Sequence, residues 1–352
     1  MTTLRRLLIG LALLLTAACT SGGEKGDRAE STPTRTPSVV ADPTPSASAS
    51  ASVSPGISSP THRPKPSASP SRSPDRTPAP TAAPAGAGFP DAGNTGPRIR
   101  LKARAAGNMS IRTDGAVIRG QDITGSLDIY ANNVTVIDSR ITSTNWWGIN
   151  LRPGYSGLRV LHTTITAVPG KGPDNGGVDY AVSNMGSSSI EVGWCDISVF
   201  GNALSMGQGT LHDNYVHGLV PFRNNGGEWQ HTDAVISGGG SSGTLVIRHN
   251  TLLNAVPVDQ GASAAVGLFA DTGHVSNTVI DGNLLAGGAY ALYGGGDGAT
   301  GITVTNNVFS TRYHRYSGVY GAVTAWNAGG AGNVWRGNRF DDGTPITPEP
   351  AG

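Results

Sequence analysis

The sequence feature that most constrains the fold is a six-residue motif that recurs nine times in the second two-thirds of the chain. Each copy has apolar residues at its first and sixth positions and a small or amide-bearing residue at the fourth. The copies begin at Ile118, Val136, Val160, Val192, Leu211, Ile247, Ile280, Val304 and Trp335. Their spacing ranges from 18 residues (118 to 136) to 36 residues (211 to 247). Recurrence on this scale predicts a repeat architecture.

A second strand signal lies between most copies of the motif. Short runs rich in Ala, Val, Leu and aromatic residues occur at 147–151, 180–183, 202–206, 232–236, 265–269, 290–293 and 322–326. Each period therefore contains at least two short strands separated by turns, and no helical period is present. Such a unit cannot bury its apolar residues alone, so we expect coils stacked about 4.8 Å apart in a β-solenoid. A propeller is the alternative, but it favours regular four-stranded blades.

The fourth motif position supports a stack. It holds Gln121, Ser139, Thr163 and Cys195 in the first four copies, and Asn214, Asn250, Asn283, Asn307 and Asn338 in the last five. A buried Asn at a turn can form hydrogen bonds with the coil before it and the coil after it. A column of Asn side chains is therefore expected along one edge of the solenoid.

Over residues 100–342 this pattern resembles the right-handed parallel β-helix of the pectate-lyase-like superfamily. The resemblance implies an all-β fold of about nine coils, with a domain that we place at 97–345 and a disordered tail at 346–352. It also implies a polysaccharide ligand lying along the solenoid. The superfamily includes polysaccharide lyases, glycoside hydrolases, epimerases and non-catalytic surface proteins, so it does not fix the activity.

The first 96 residues predict export and a tether. Arg5 and Arg6 precede an apolar run at 7–15 and small residues before Cys19. This stretch resembles a bacterial lipoprotein signal, which implies a lipid on Cys19 and an extracellular, membrane-anchored protein; secretion after cleavage near Ala18 is the alternative. Residues 20–96 are dominated by Ser, Pro, Thr and Ala, and we expect a disordered linker there.

Charge and cysteine content exclude several classes of partner. From residue 97 onward the chain has 16 Lys and Arg against 18 Asp and Glu, so it lacks the basic field that nucleic acid binding requires. Contact with a membrane is expected through the N-terminal lipid only. Beyond the signal Cys195 stands alone, which predicts no intrachain disulfide. We expect a monomer.

The candidate catalytic residues are His231 and Asp233. Side chains two apart on a strand share a face, and a His beside a carboxylate suits proton transfer. The sequence H-T-D-A-V resembles the N-T-D-G strand of polygalacturonases, which implies a catalytic role for Asp233 alone. A surface hydrogen-bonded pair without catalytic function is the alternative.

The candidate substrate-binding residues are Arg223, Glu228 and Trp229 in and beside the preceding loop, with His217 and Tyr180 on neighbouring coils. Loops that lead into a working strand often hold substrate contacts, and an Arg can pair with a uronate carboxylate. Further aromatic residues, including Tyr313, Tyr316 and Tyr320, predict a second rim where sugar rings can stack.

No cofactor is indicated by a recognisable motif. Calcium stays open, because Asp174, Asn175 and Asp179 offer oxygen ligands within a few residues. From these patterns we expect an extracellular polysaccharide lyase or glycoside hydrolase, with an epimerase as a further option. A non-catalytic carbohydrate-binding or structural β-helix protein is the alternative.

Overall fold

The structure of the protein, a computed structural model, describes residues 88–105, 107–184 and 188–348. Signal residues 1–19, with the predicted lipidation site Cys19, lie outside the described residues, as do linker residues 20–87. Within the described ranges the chain forms 28 short strands and one 3-10 turn, Val258–Gln260. No helix in these ranges has the length and apolar character needed to cross a membrane.

The strands, in chain order, are β1 (Lys102–Ala105), β2 (Met109–Ile111), β3 (Val117–Arg119), β4 (Gln121–Thr124), β5 (Leu127–Ile129), β6 (Thr135–Ile137), β7 (Arg140–Ser143), β8 (Trp147–Leu151), β9 (Arg159–Leu161), β10 (Thr164–Ala167), β11 (Tyr180–Asn184), β12 (Glu191–Gly193), β13 (Asp196–Ser198), β14 (Asn202–Ser205), β15 (Gly209–His212), β16 (Tyr215–His217), β17 (Thr232–Ser237), β18 (Leu245–Arg248), β19 (Thr251–Asn254), β20 (Ala262–Leu268), β21 (Ser276–Asp281), β22 (Leu284–Gly287), β23 (Tyr290–Gly294), β24 (Thr300–Thr305), β25 (Val308–Phe309), β26 (Gly321–Thr324), β27 (Val334–Arg336) and β28 (Arg339–Phe340).

These strands form three parallel sheets that wind together as a right-handed β-helix. Sheet I contains every third strand from β2 to β26, sheet II every third strand from β3 to β27, and sheet III every third strand from β1 to β28. One coil is therefore a strand of sheet I, then of sheet II, then of sheet III. Nine such coils follow β1, which confirms the predicted all-β solenoid and its coil number.

The nine sequence motifs are the corner between sheets II and III. The third motif residue has a left-handed backbone in every coil, with φ between 44° and 69°: Gly120, Asp138, His162, Trp194, Asp213, His249, Gly282, Asn306 and Gly337. This conformation turns the chain sharply between the two strands, and Gly, Asn and Asp adopt it at low cost. Residues Arg248 and His249 therefore belong to the scaffold.

The fourth motif residue forms the expected ladder inside this corner. Asn250 donates from Nδ2 to Leu211 O and Asn283 Oδ1, both at 2.9 Å, while its own Oδ1 accepts the Asn214 backbone N–H at 3.0 Å. The same bonds recur from Asn214 to Asn338. Each of these side chains is buried, so the ladder satisfies turn groups that water cannot reach.

The core inside the coils consists of stacked Ile, Val, Leu and Ala side chains with no exposure, and Phe200 and Phe309 are its largest members. Packing is close enough to require glycine at one position of sheet I. A Cβ on Gly148 would lie 2.8 Å from both Ala181 O and Ile165 Cγ2. Burial of this apolar surface is the main source of stability for the stack.

An N-terminal strap, residues 88–101, runs along the corner between sheets II and III before the first coil begins. The ring of Phe89 stacks on His249 of the sixth coil, with centroids 6.1 Å apart. Gly96 N–H donates to Trp194 O of the fourth coil at 2.8 Å. Arg98 then forms two hydrogen bonds with the Asp138 carboxylate of the second coil, at 2.8 and 3.0 Å. The last residues of the predicted linker, 88–96, are thus in contact with the solenoid.

A chain of ionisable residues crosses sheet II beneath this strap. Arg159 donates to Glu191 at 2.6 Å, His212 lies 3.3 Å from Glu191 and 2.8 Å from Asp213, and His249 lies 2.6 Å from Asp213. The hydrogen bond from His212, aided by Arg159, lowers the pKa of Glu191 to about 2 against the effect of burial. Burial works against the charged form of His212, but Asp213 and Glu191 raise its pKa to about 9.

Candidate functional site

A row of polar and aromatic side chains crosses the outer face of sheet I. Trp147, Tyr180, Asn202 and Asp233 are register partners on the adjacent strands β8, β11, β14 and β17. Asp233 pairs with Ala264, Ala264 forms a bridge with Gly288, and Tyr290 follows as the first residue of β23. Trp147, Tyr180 and Tyr290 are half-buried, whereas Asn202 and Asp233 are buried.

Asp179 is the first carboxyl group of this row. It precedes β11 and is 4% exposed. Asn202 Nδ2 donates to its Oδ1 at 2.8 Å, and Gln230 Nε2 donates to its Oδ2 at 3.5 Å. Burial raises the pKa of Asp179 to about 6, although hydrogen bonds from Asn202 and Tyr180 act in the opposite direction. The neutral form of Asp179 is therefore populated at mildly acidic pH.

Asp233 is the second carboxyl group, and it has no exposure. Neither of its side-chain oxygens has a hydrogen-bond partner in the described part of the chain, and the same is true of Asn202 Oδ1. Burial raises the pKa of Asp233 well above its usual range; the Ala264 backbone amide, which does not reach hydrogen-bond geometry, opposes the shift, and the charge of Asp179 adds to it. Asn202 is the register partner of Asp233 and donates to Asp179, so it lies between the two carboxyl groups; Asp179, Asn202 and Asp233 are here called the relay.

The predicted pairing of His231 with Asp233 is not present. His231 is exposed and precedes β17, whereas Asp233 lies within it, and no hydrogen bond or ion pair among the described residues joins them. The register of sheet I shifts between Thr232 and Asp233. This irregularity breaks the two-residue alternation on which the prediction depended.

The loop before β17 brings two of the predicted substrate-binding residues together. Arg223 and Trp229 form an antiparallel bridge, and the Arg223 guanidinium lies 4.5 Å from the centroid of the Trp229 ring. Both line a small cavity of about 380 Å³ with Phe222 and Val178. Glu228 is exposed and does not line that cavity; its backbone N–H donates to Asn224 Oδ1 at 3.0 Å.

The last two predicted binding residues have different positions. Tyr180 lies in the row, two coils before Asp233 as expected, where burial and the neighbouring Asp179 raise the pKa of its hydroxyl. His217 does not join them, because β16 belongs to sheet III. Its Nε2 lies 2.9 Å from Asp196 Oδ1, and its ring stacks on Tyr215 at 4.1 Å.

An unbroken series of rings extends from Asp233 toward the last coil. A Cβ on Gly267 would collide with the Phe269 ring and lie 3.0 Å from Asp233 Oδ1, so ring and carboxyl both lie over Gly267. Ring centroids are then separated by 5.1 Å (Phe269 to Tyr293), 5.6 Å (Tyr293 to Tyr290) and 5.9 Å (Tyr290 to Tyr320). Burial, with a contribution from Asp233, raises the pKa of Tyr293 to about 12.

This series ends in a groove of about 730 Å³ on the last two coils, here called the aromatic groove. Its wall includes Tyr290, Tyr316 and Tyr320, with Asp297 at the edge and Phe340 and Ile346 at the far end. Tyr316 and Tyr320 are 52% and 64% exposed, so a ligand can reach both rings. Neither Asp179 nor Asp233 lines it.

The calcium alternative gains no support from the described residues. They contain no cluster of three or more His, Cys, Asp or Glu side chains arranged to hold a metal ion. Asp174 Oδ1 instead accepts the Asn225 backbone N–H at 2.7 Å. Asp174 and Asp179 therefore serve to fix the loop 222–230 over the row.

The sequence analysis did not identify two residues of these sites. They are Asn202, which belongs to the relay, and Asp297, which lines the aromatic groove. The one signal that could have found Asn202 is the run N202-A-L-S, which aligns with Y180-A-V-S. No known protein family, curated protein or solved structure matches this chain. A proposal for the function must therefore be based on the geometry of the site.

Proposed function

We propose that this protein is an extracellular carbohydrate-binding protein of the pectate-lyase-like kind, which holds a polysaccharide against the outer face of sheet I. The observation that carries the proposal is the aromatic groove. Tyr side chains offer flat faces on which the apolar C–H faces of sugar rings stack, and hydroxyl groups at their edges for hydrogen bonds. A volume of about 730 Å³ is in the usual range for ligand sites.

The groove continues into the series Tyr290, Tyr293 and Phe269, which follows the solenoid axis from coil to coil. A linear polymer could therefore contact several rings in succession, and no large movement of the backbone is needed. The predicted lipid on Cys19 and the linker 20–96 would hold this surface outside the cell, with the membrane contacted through the lipid alone. A monomer suffices for this arrangement.

Replacing Tyr320 with alanine should weaken polysaccharide binding about tenfold, because one stacking face of the groove is lost. Tyr320 is 64% exposed, so the fold should be unaffected. Val319→Ala is the matched control, since Val319 is exposed on the same loop but does not line the groove. Affinity electrophoresis against plant, algal and bacterial-wall polysaccharides measures both variants. Equal retardation of Tyr320→Ala and the parent by every polymer that binds would contradict the proposal.

The relay of Asp179, Asn202 and Asp233 favours a second candidate function, the hydrolysis of a glycosidic bond. An acid–base pair requires one protonated and one ionised carboxyl group. Asp233, with a pKa raised well above its usual range, would be the protonated group, and Asp179, with a pKa of about 6, would be the ionised group above that pH. Their strands lie two coils apart, roughly 10 Å, nearer to the wide separation of inverting glycosidases than to the narrow one of retaining enzymes. Asp233 would protonate the leaving oxygen and Asp179 would activate water, once the cover over Asp233 has opened.

Asp179→Asn should lower such an activity about a hundredfold, since the amide cannot accept a proton from water. Release of reducing ends measures hydrolysis, and absorbance of unsaturated products separates a lyase. His231→Ala is the control, because His231 is exposed and outside the relay. The same rate in Asp179→Asn as in the parent would remove the relay from catalysis and leave binding as the function.

A further inference from the structure

The aromatic groove has an unusual balance of charge. Of its lining residues, Asp297 is the acid, and none is Lys, Arg or His. The other ionisable side chains are the hydroxyls of Tyr290, Tyr316 and Tyr320. The faces of these rings carry negative potential, so they attract cations. Both the acid and the rings therefore favour a positively charged group in the groove.

Asp297 is available to a ligand. It is exposed in the turn between β23 and β24, and its carboxylate has no hydrogen bond or ion pair among the described residues. Its backbone carbonyl accepts a hydrogen bond from Asn327 Nδ2, which fixes the turn at the edge of the groove. The carboxylate is thus held beside the rings without a competing protein cation.

One cation of the protein already stacks on a ring of the groove. The Arg315 guanidinium lies 5.2 Å from the centroid of Tyr316, yet Arg315 does not line the groove. Arg315 is exposed and stacks on the lining ring of Tyr316 from a position outside the lining, so a ligand that pairs with Asp297 does not have to displace it. An anionic ligand in the groove would therefore meet the lining carboxylate of Asp297, whereas Arg315 lies outside the lining.

We infer that the aromatic groove selects glycans with free amino groups, whose ammonium groups pair with Asp297 and lie against the Tyr faces, over polyuronates. This inference rests on the proposed carbohydrate-binding function and names the ligand class of the same site. The sugar ring stacks on Tyr290 or Tyr320, while an ammonium on that ring reaches the Asp297 carboxylate. The carboxylates of a polyuronate would face Asp297 with no lining cation to offset the repulsion.

The test compares three oligosaccharides of equal length by calorimetry: β-1,4-linked glucosamine, its N-acetylated counterpart, and galacturonate. The glucosamine oligomer should bind about fivefold more tightly than the N-acetylated oligomer, which has the same sugar backbone but a neutral acetamide in place of each ammonium. Galacturonate should bind most weakly. The preference for glucosamine should shrink at high salt, because exposed charges are screened.

Two variants test whether Asp297 or Arg315 determines the preference for glucosamine. Asp297→Asn should abolish the preference for glucosamine and leave binding of the N-acetylated oligomer unchanged. Arg315→Gln should leave the preference in place. Galacturonate binding as tightly as glucosamine, or an unchanged preference in Asp297→Asn, overturns the inference while the proposed function stands. Absence of binding by all three oligomers, and by every polymer in the wider panel, overturns the proposed function itself.

Discussion

Replacing Asn250 with alanine should lower the free energy of unfolding by about 4 kcal/mol, because several buried polar groups lose their partners at once. Asn250 donates to Leu211 O, to Arg248 O and to Asn283 Oδ1. Its Oδ1 also accepts the Asn214 backbone N–H at 3.0 Å. Alanine removes these bonds inside a corner that water does not reach. Urea denaturation measures the loss.

Two further variants separate the ladder from amide loss in general. Asn225→Ala removes an exposed amide whose residue contributes only its backbone N–H to a described bond, and it should change stability by less than about 0.5 kcal/mol. Asn250→Thr should recover part of the loss, since Thr163 occupies the same slot and donates to Leu161 O at 2.8 Å. A loss for Asn250→Ala no larger than for Asn225→Ala would show that the ladder is not needed for stability.

Raising the pH from 4 to 8 should destabilise the protein through the two buried carboxyl groups. The pKa of Asp179 is about 6 in the folded protein against an ordinary 3.8. Between these values the folded chain holds a proton that the unfolded chain has released, so stability falls as pH rises. A shift of this size corresponds to about 3 kcal/mol, lost between pH 4 and roughly pH 6. Asp233, whose pKa is raised well above its usual value, adds to the loss.

The Asp233→Asn variant tests this account. The amide stays neutral at every pH, as the protonated acid is. We expect Asp233→Asn to be more stable than the parent by about 2 kcal/mol or more at pH 8, where the parent buries an unpaired charge. Little difference is expected at pH 4. Asp271→Asn is the matched control, since Asp271 is a nearby exposed carboxylate.

His212 and Glu191 also contribute to the pH dependence of stability, and their effects must be distinguished from those of Asp179 and Asp233. His212, with a pKa raised to about 9, contributes stability below pH 6.5 that is lost as the pH rises toward 9. Glu191, with a pKa lowered to about 2, contributes stability above pH 4.5 that is lost in acid. Both remain in Asp233→Asn. Parallel melting curves for that variant and the parent across pH 4–8 would therefore contradict the role given to Asp233.

The solenoid architecture could be predicted from the sequence because every coil needs two particular residues at its corner, and both can be recognised in the chain. The left-handed turn residue and the buried side chain after it are adjacent in the chain, so Asn250 and Asn283 could be aligned without a structure. The short apolar runs marked the sheet I strands from β8 onward, whereas the division of the motif into strands of sheets II and III, and the sheet I strands β2 and β5, were not predicted. Where Asn gives way to Cys195 or Thr163, the flanking apolar residues still marked the corner.

The candidate site could not be assembled in the same way. Spacings from 18 to 36 residues conceal which residues of sheet I are register partners, so Asp179, Asn202 and Asp233 did not align. The shift between Thr232 and Asp233 then reversed the expected relation of His231 to Asp233. Asp297 lies in a Gly-rich turn whose composition predicts a bend and nothing about the groove beside it.

The N-terminal strap gives the protein a mechanical property. A pull transmitted through the N-terminal segment reaches the solenoid at its sixth coil, at Phe89, and not at its first. Force would peel the strap from the corner one contact at a time: the Phe89 stack, then the Gly96 hydrogen bond, then Arg98 on Asp138. Force would reach β1 and the first coil only after these three contacts had broken. If the chain is held by its N-terminal segment, the contacts of the strap would therefore break before the first coil unfolds.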